Sequence, residues 1–190
     1  MTRPRTFSII REQVDAATAR QSAAELAGGS VVEVEGSVMY PYFRFTAECS
    51  VPTLIGKKHI SVECLVDGVN GFGATADPVV ADERTAGDEI LMQSEIADDA
   101  AQRSAQRTIT HQLGRKFRTI AAFDVALEPA GKLYKRFWIM RVGDSRIMAD
   151  SVTGNMHALQ DRPAGARPVE RPVGAACRSG FSRDSSPIRG

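Results

Sequence analysis

Asp67 and Asp150 are the residues of this 190-residue chain best placed to act as a chemical pair. Each heads the pattern Asp-x-Val-x-Gly, closing on Gly71 in one case and on Gly154 in the other. Each also follows an apolar run and, before that, an aromatic segment opened by a tyrosine. Two carboxylates related by an approximate two-fold axis could share a proton and act as acid and base. The same residues also read as turn formers, with Asp accepting backbone N–H bonds and Gly supplying positive φ. The turn reading is the stronger, since neither copy is Asp-Thr-Gly. Asp67, Gly71, Asp150 and Gly154 are therefore expected to be structural turn residues, and no catalytic residue is assigned.

Other constellations are thinner. Cys49 and Cys64 fall on strands that should pair, with His59 nearby, but a metal site would need a fourth ligand and better spacing. Two small buried cysteines account for them better. His111 and His157 have no Cys, Ser or Glu at nucleophile or ligand spacing. The glycine-rich stretch from Gly68 to Gly73 is not GxGxxG, and no helix opens directly after it. Tyr40, Tyr42, Phe43 and Phe45, with Phe137 and Trp138, could stack bases on a sheet. No basic groove accompanies them, so they read as core. No cofactor and no metal are expected.

Charge narrows the partners. The formal net charge is +1, and the residues from Asp161 onward hold most of the basic excess, which leaves the first 160 mildly acidic. Nucleic acid is therefore not an expected partner. No apolar run approaches the roughly 20 residues of a membrane span, and the basic start, followed by Arg11, Glu12 and Asp15, forms no signal peptide. Three cysteines without CxxC spacing fit a reducing compartment. No membrane partner and a cytoplasmic location are the expectations.

The elements that must position the two aspartates follow from pattern. Ser8 to Ala27 reads as a helix capped by Ser8, with an alanine-rich stripe, and Gly28-Gly29 ends it. Ser30 to Glu35 alternates and is β-branched, hence a strand, and Gly36-Ser37 breaks it. Val38 to Ser50 is a longer strand with Tyr42, Phe43, Phe45, Ala47 and Cys49. Val51 to Lys58 is a loop whose Leu54-Ile55 pair is apolar for a tip. His59 to Asp67 returns, and Thr75 to Val80 leaves the sheet. Asp82 to Arg118 carries the longest helical pattern, with acids early and bases late as the helix macrodipole favours. Ile120 to Leu127, Leu133 to Val142 and Arg146 to Asp150 are strands, with turns at Glu128 to Gly131 and at Gly143-Asp144, and Asn155 to Leu159 finishes the ordered body. From Asp161 the chain is rich in Arg, Pro, Gly and Ser, which predicts a disordered tail over 161–190.

The two halves share an order of helix, strand, aromatic strand and strand ending in Asp-x-Val-x-Gly. Met148 to Gly154, and less closely Leu65 to Gly71, resemble the last hairpin of the PepSY-type module of bacterial peptidase propeptides. The resemblance implies a helix lying across a small antiparallel sheet, and a role in inhibiting or regulating peptidases. Residues 8 to 160 also resemble a group of uncharacterised bacterial and archaeal proteins. The expected fold class is α+β, with two repeated helix–antiparallel-sheet units packed together. The units are 1–80 and 81–160, followed by the tail.

The expected function is a non-catalytic binding or regulatory module for a protein or peptide partner. Exposed sheet edges, or Leu54 and Ile55, would make the contact. The alternative is a small enzyme or ligand-binding protein with a helix/sheet pocket that uses Asp67 or Asp150. A deep pocket lined by both carboxylates would favour the alternative.

Overall fold

A computed structural model describes residues 6–53, 55–85, 90–117 and 124–159, and every structural statement below concerns these residues. The expected tail and Leu54 lie outside them. In chain order the elements are β1 (Thr6–Ile10), α1 (Ala16–Leu26), β2 (Val32–Thr53), β3 (Gly56–Asp67), β4 (Gly73–Ala76), β5 (Ala81–Thr85), β6 (Ile90–Leu91), α2 (Asp98–Phe117), β7 (Asp124–Val142), β8 (Ser145–Asp150) and β9 (Met156–Leu159).

The α+β content is as expected, but the arrangement is not two repeated helix–sheet units packed together. The strands form one nine-stranded mixed sheet, with a central path β4-β3-β2-β7-β1-β5. Its spine is the antiparallel ladder of β2 and β7, which runs from Val32↔Val142 to Ser50↔Asp124. β2 lies in the first half of the chain and β7 in the second, so the spine itself joins the two halves into one sheet. Gly36 and Ser37 do not break β2, because the extra residue is absorbed as a bulge at Val34/Gly36. Likewise Glu128 to Gly131 is no turn. Pro129 pairs with Phe45 beside a second bulge, and the strand continues.

The helices complete the correction. Alternation along β2 puts Met39, Phe43, Phe45, Ala47 and Cys49 on one face, all buried. α2 closes that face with Ala101, Ala105, Ile109 and Leu113, against Phe43, Phe45, Cys64 and Val66. Their four-residue spacing makes the buried stripe. α1 closes the other end of the same face, with Ala19 and Ala23 against Val32, Met140 and Ala149. Each helix thus covers strand residues from the opposite half of the sequence, and the core is shared along the spine.

Two expected helices begin later than their patterns suggest. Residues 6–10 are β1, which pairs antiparallel with β5 and parallel with β7 at Ser8↔Leu133. α1 is capped by Asp15, whose Oδ1 accepts from Thr18 N at 2.8 Å, rather than by Ser8. α2 starts at Asp98, because the segment ahead of it is spent on β5 and on β6, which pairs parallel with β2 at Val38↔Ile90. The β2–β3 ladder runs out to Thr53↔Gly56, so the loop expected over 51–58 is mostly ladder. No helix among the described residues is long and apolar enough to cross a membrane.

Candidate functional site

Asp67 ends β3 and Asp150 ends β8, and both open the same kind of turn. Asp67 Oδ1 accepts from Val69 N at 2.8 Å and Asn70 N at 3.0 Å, while Asn70 Nδ2 donates to Oδ2 at 2.9 Å. Asp150 Oδ1 accepts from Val152 N at 2.8 Å and Thr153 N at 3.2 Å. The backbone repeats the likeness. Gly71 N donates to Asp67 O at 3.0 Å and Gly154 N to Asp150 O at 2.8 Å. Gly71 and Gly154 sit at φ +76° and +73°, a region where Cβ costs an L-residue about 1 kcal/mol or more.

The residue after each aspartate joins the sheet to a helix. Gly68 N donates to Pro41 O at 2.9 Å, and Gly68 O accepts from Glu95 N at 2.8 Å and Ile96 N at 3.2 Å, just before α2. Ser151 N donates to Arg136 O at 3.1 Å, and Ser151 O accepts from Gln13 N and Val14 N, both at 2.8 Å, just before α1. The turns fix where the helices enter, which is a structural use of the Asp-x-Val-x-Gly pattern.

What remains of each carboxylate is taken by a side chain of the spine. Tyr40 Oη donates to Asp67 Oδ1 at 2.8 Å. Lys135 forms an ion pair with Asp150 Oδ2, both side chains largely buried. Tyr40 packs against Tyr42 and, edge-on, against Phe137, with ring centroids 5.5 and 5.9 Å apart. These rings lie on the face opposite the helices, so an aromatic seam separates the two acids. Burial raises the Tyr40 phenol, and its bond to Asp67 adds to the effect. Burial and the charges of Asp67 and Asp150 push Tyr42 up to about 12. Burial pushes Asp150 up as well, but Lys135 and the turn N–H groups outweigh it and hold the carboxyl below its ordinary value.

Chemically, the arrangement makes two separately satisfied carboxylates, not a proton-sharing pair. Neither lines the cleft of about 590 Å³ bounded by Phe7, Ser8, Gln93, Lys132 and Tyr134. Neither lines the cleft of about 340 Å³ bounded by Arg11, Glu12, Asp82 and Arg84. Cys49 and Cys64 are free and buried, and burial pushes the Cys64 thiol up to about 11. They do not pair with each other: Cys49 faces Ile60 and Cys64 faces Phe45. His59, His111 and His157 are exposed. Among the described residues no group of three or more His, Cys, Asp or Glu is placed to hold a metal ion. Ile55, at the tip of the β2–β3 hairpin, is fully exposed.

Two contributors were not foreseen. Lys135 lies in an aromatic strand and reaches diagonally to Asp150 on the neighbouring β8, opposite Phe137, so no local spacing signals it. Glu12 gathers Arg84 at 3.6 Å and the buried Arg136 at 3.3 Å, linking the lead-in of α1 to β5 and β7. Searches against family models, curated proteins and solved structures give no match to this chain.

Proposed function

We propose that this chain is a non-catalytic binding or regulatory module that engages a protein or peptide through open sheet edges and the tip of the β2–β3 hairpin. One observation carries the reading: both candidate catalytic carboxylates are used up inside the fold, each by its own turn and by one spine side chain. The hairpin supports it further, since a long two-strand ladder presents Ile55 to solvent beside Lys57 and Lys58. A regulatory role toward a peptidase, implied by the PepSY-like turn at Met148 to Gly154, is one form of this function.

The test places a photo-crosslinking residue at Ile55 and, as a control, at Asp144 in the β7–β8 turn, in cells that produce the full chain. A discrete heavier adduct from position 55 and none from 144 is the expected result. No adduct from 55, or the same adducts from both, overturns the assignment of the tip. A turnover activity lost in Asp67→Asn or Asp150→Asn with the fold intact overturns the non-catalytic reading.

A further inference from the structure

The strands that leave an edge to solvent among the described residues are not alike. β5 reads Ala-Asp-Glu-Arg-Thr, and the outer part of β3 carries Lys57 and Lys58, so both show the charges that keep an open edge from pairing with other chains. β4, four residues long like β9, packs beside α2, where Thr108 meets Gly73. β9 reads Met-His-Ala-Leu, with no lysine, no proline and no carboxylate. Among the described residues it pairs with β8 alone, from Ala149↔Met156 to Arg146↔Leu159.

Beside β9 runs a groove of about 330 Å³, walled by Ala23, Leu26 and Ala27 of α1 and its end on one side and by Ile147, Met156 and Ala158 on the other. No Asp, Glu, Lys or Arg lines it, and His157 is its one titratable neighbour. The alanines leave the room that larger side chains would fill. Leu26 stands at the rim, 78% exposed. An unguarded strand edge offers a row of backbone N–H and C=O groups, which only another extended backbone satisfies in register. A neutral apolar groove under one face of that edge takes every second side chain of such a strand.

We propose that β9 and α1 form a peptide site in which an uncharged extended segment of a partner adds to β9 as a further strand. Its small or medium apolar side chains at alternate positions sit in the groove between Leu26 and Met156. This rests on reading the chain as a binding module, and it places a second contact at the other end of β7 from the hairpin tip. Segments with acidic or basic residues facing the groove are rejected, because burying an unpaired charge there has no compensating partner.

The test selects random decapeptides, displayed on phage, against the immobilised full chain. Enriched peptides are then synthesised and titrated into wild type, Leu26→Asp, Ala158→Asp and Ile55→Asp. Enriched sequences should alternate apolar and polar residues and slow amide hydrogen exchange within Met156–Leu159. Their affinity should fall at least tenfold in Leu26→Asp and Ala158→Asp and stay unchanged in Ile55→Asp. Both groove positions are exposed, and a thermal melt of each variant verifies its fold. No enrichment, enriched peptides that ignore both groove substitutions, or protection confined to another strand overturns the site. So does a concentration-dependent dimer that Leu26→Asp abolishes, which would make a second copy the occupant. Crosslinking at Ile55 without peptide enrichment would sink the groove and leave the binding-module reading standing.

Discussion

Tyr40 and Lys135 face each other across the β2–β7 ladder, yet each sends its polar end to a different turn, Tyr40 to Asp67 and Lys135 to Asp150. The two turns match in backbone pattern but differ in this one partner, a neutral phenol against an ammonium. Removing the charge of each aspartate should therefore have unequal effects. Asp67→Asn keeps an acceptor for Tyr40 and for the turn, and should cost about 1 kcal/mol. Asp150→Asn leaves the largely buried Lys135 without its counter-charge, and should cost about 2–3 kcal/mol. Adding Lys135→Met to Asp150→Asn should recover part of that loss. Urea unfolding of the four proteins measures all three quantities. Equal losses in the single variants would show that Lys135 contributes nothing beyond the turn.

The same ion pair sets a pH dependence. Asp150 has a folded pKa below its unfolded value of about 3.9, so the unfolded chain binds the proton more readily. Its contribution is complete above about pH 5 and is lost as pH falls through the folded pKa. The stability gap between wild type and Asp150→Asn should then be constant near neutrality and shrink below about pH 5. Glu35 and Glu63, also held low by arginines against the opposing effect of burial, are present in both proteins and cancel in the difference. A gap that widened in acid would contradict the assignment.

Gly68 and Ser151 occupy equivalent places after the two aspartates, and the structure treats them differently. A Cβ on Gly68 would lie 2.8 Å from Pro41 O, a backbone atom that cannot swing away. Ser151 carries its Cβ, but its buried Oγ has no hydrogen-bond partner. Gly68→Ala should destabilise by about 1–3 kcal/mol through overpacking. Ser151→Ala should be neutral or stabilising, since it removes a desolvated hydroxyl that forms no bond. Thermal melts of the two variants rank them directly, and a large loss in Ser151→Ala would reveal a bond to Oγ.

How much of this was legible in the sequence depends on the range of the contacts. The stripe Ala101, Ala105, Ile109, Leu113 and the turn signals at Asp67–Gly71 and Asp150–Gly154 are local, and a local pattern suffices to place them. The partition of the sheet is not local. Ser8 to Ile10 reads as the start of a helix because its parallel partner, Leu133 and Tyr134, lies in the other half of the chain. Glu128-Pro129-Ala130-Gly131 has turn composition, and only the ladder to Phe45 shows that it is a bulged strand. Two look-alike halves read as two units for the same reason, because the pattern records each helix but not which strands it covers.

The buried thiols provide a probe of that shared core. Cys49 and Cys64 are 1% and 0% exposed, in the cluster that α2 closes with Ile109 and Leu113. The thiolate is the reacting form, and burial pushes both thiols up, Cys64 to about 11. At pH 8 roughly one Cys64 in a thousand would ionise even if reagent could reach it. In a Cys177→Ser background, labelling of both cysteines by an aromatic disulfide should therefore follow the opening of the fold, with one common rate that rises with urea. Replacing Ile109 by Ala should remove about 2–5 kcal/mol from this cluster and speed labelling of both sites together. Because the spine runs under both helices, Met140→Ala beneath α1 should speed it as well. Fast labelling of Cys64 alone in native buffer, or indifference to Met140→Ala, would mean that the α2 end opens independently of the α1 end.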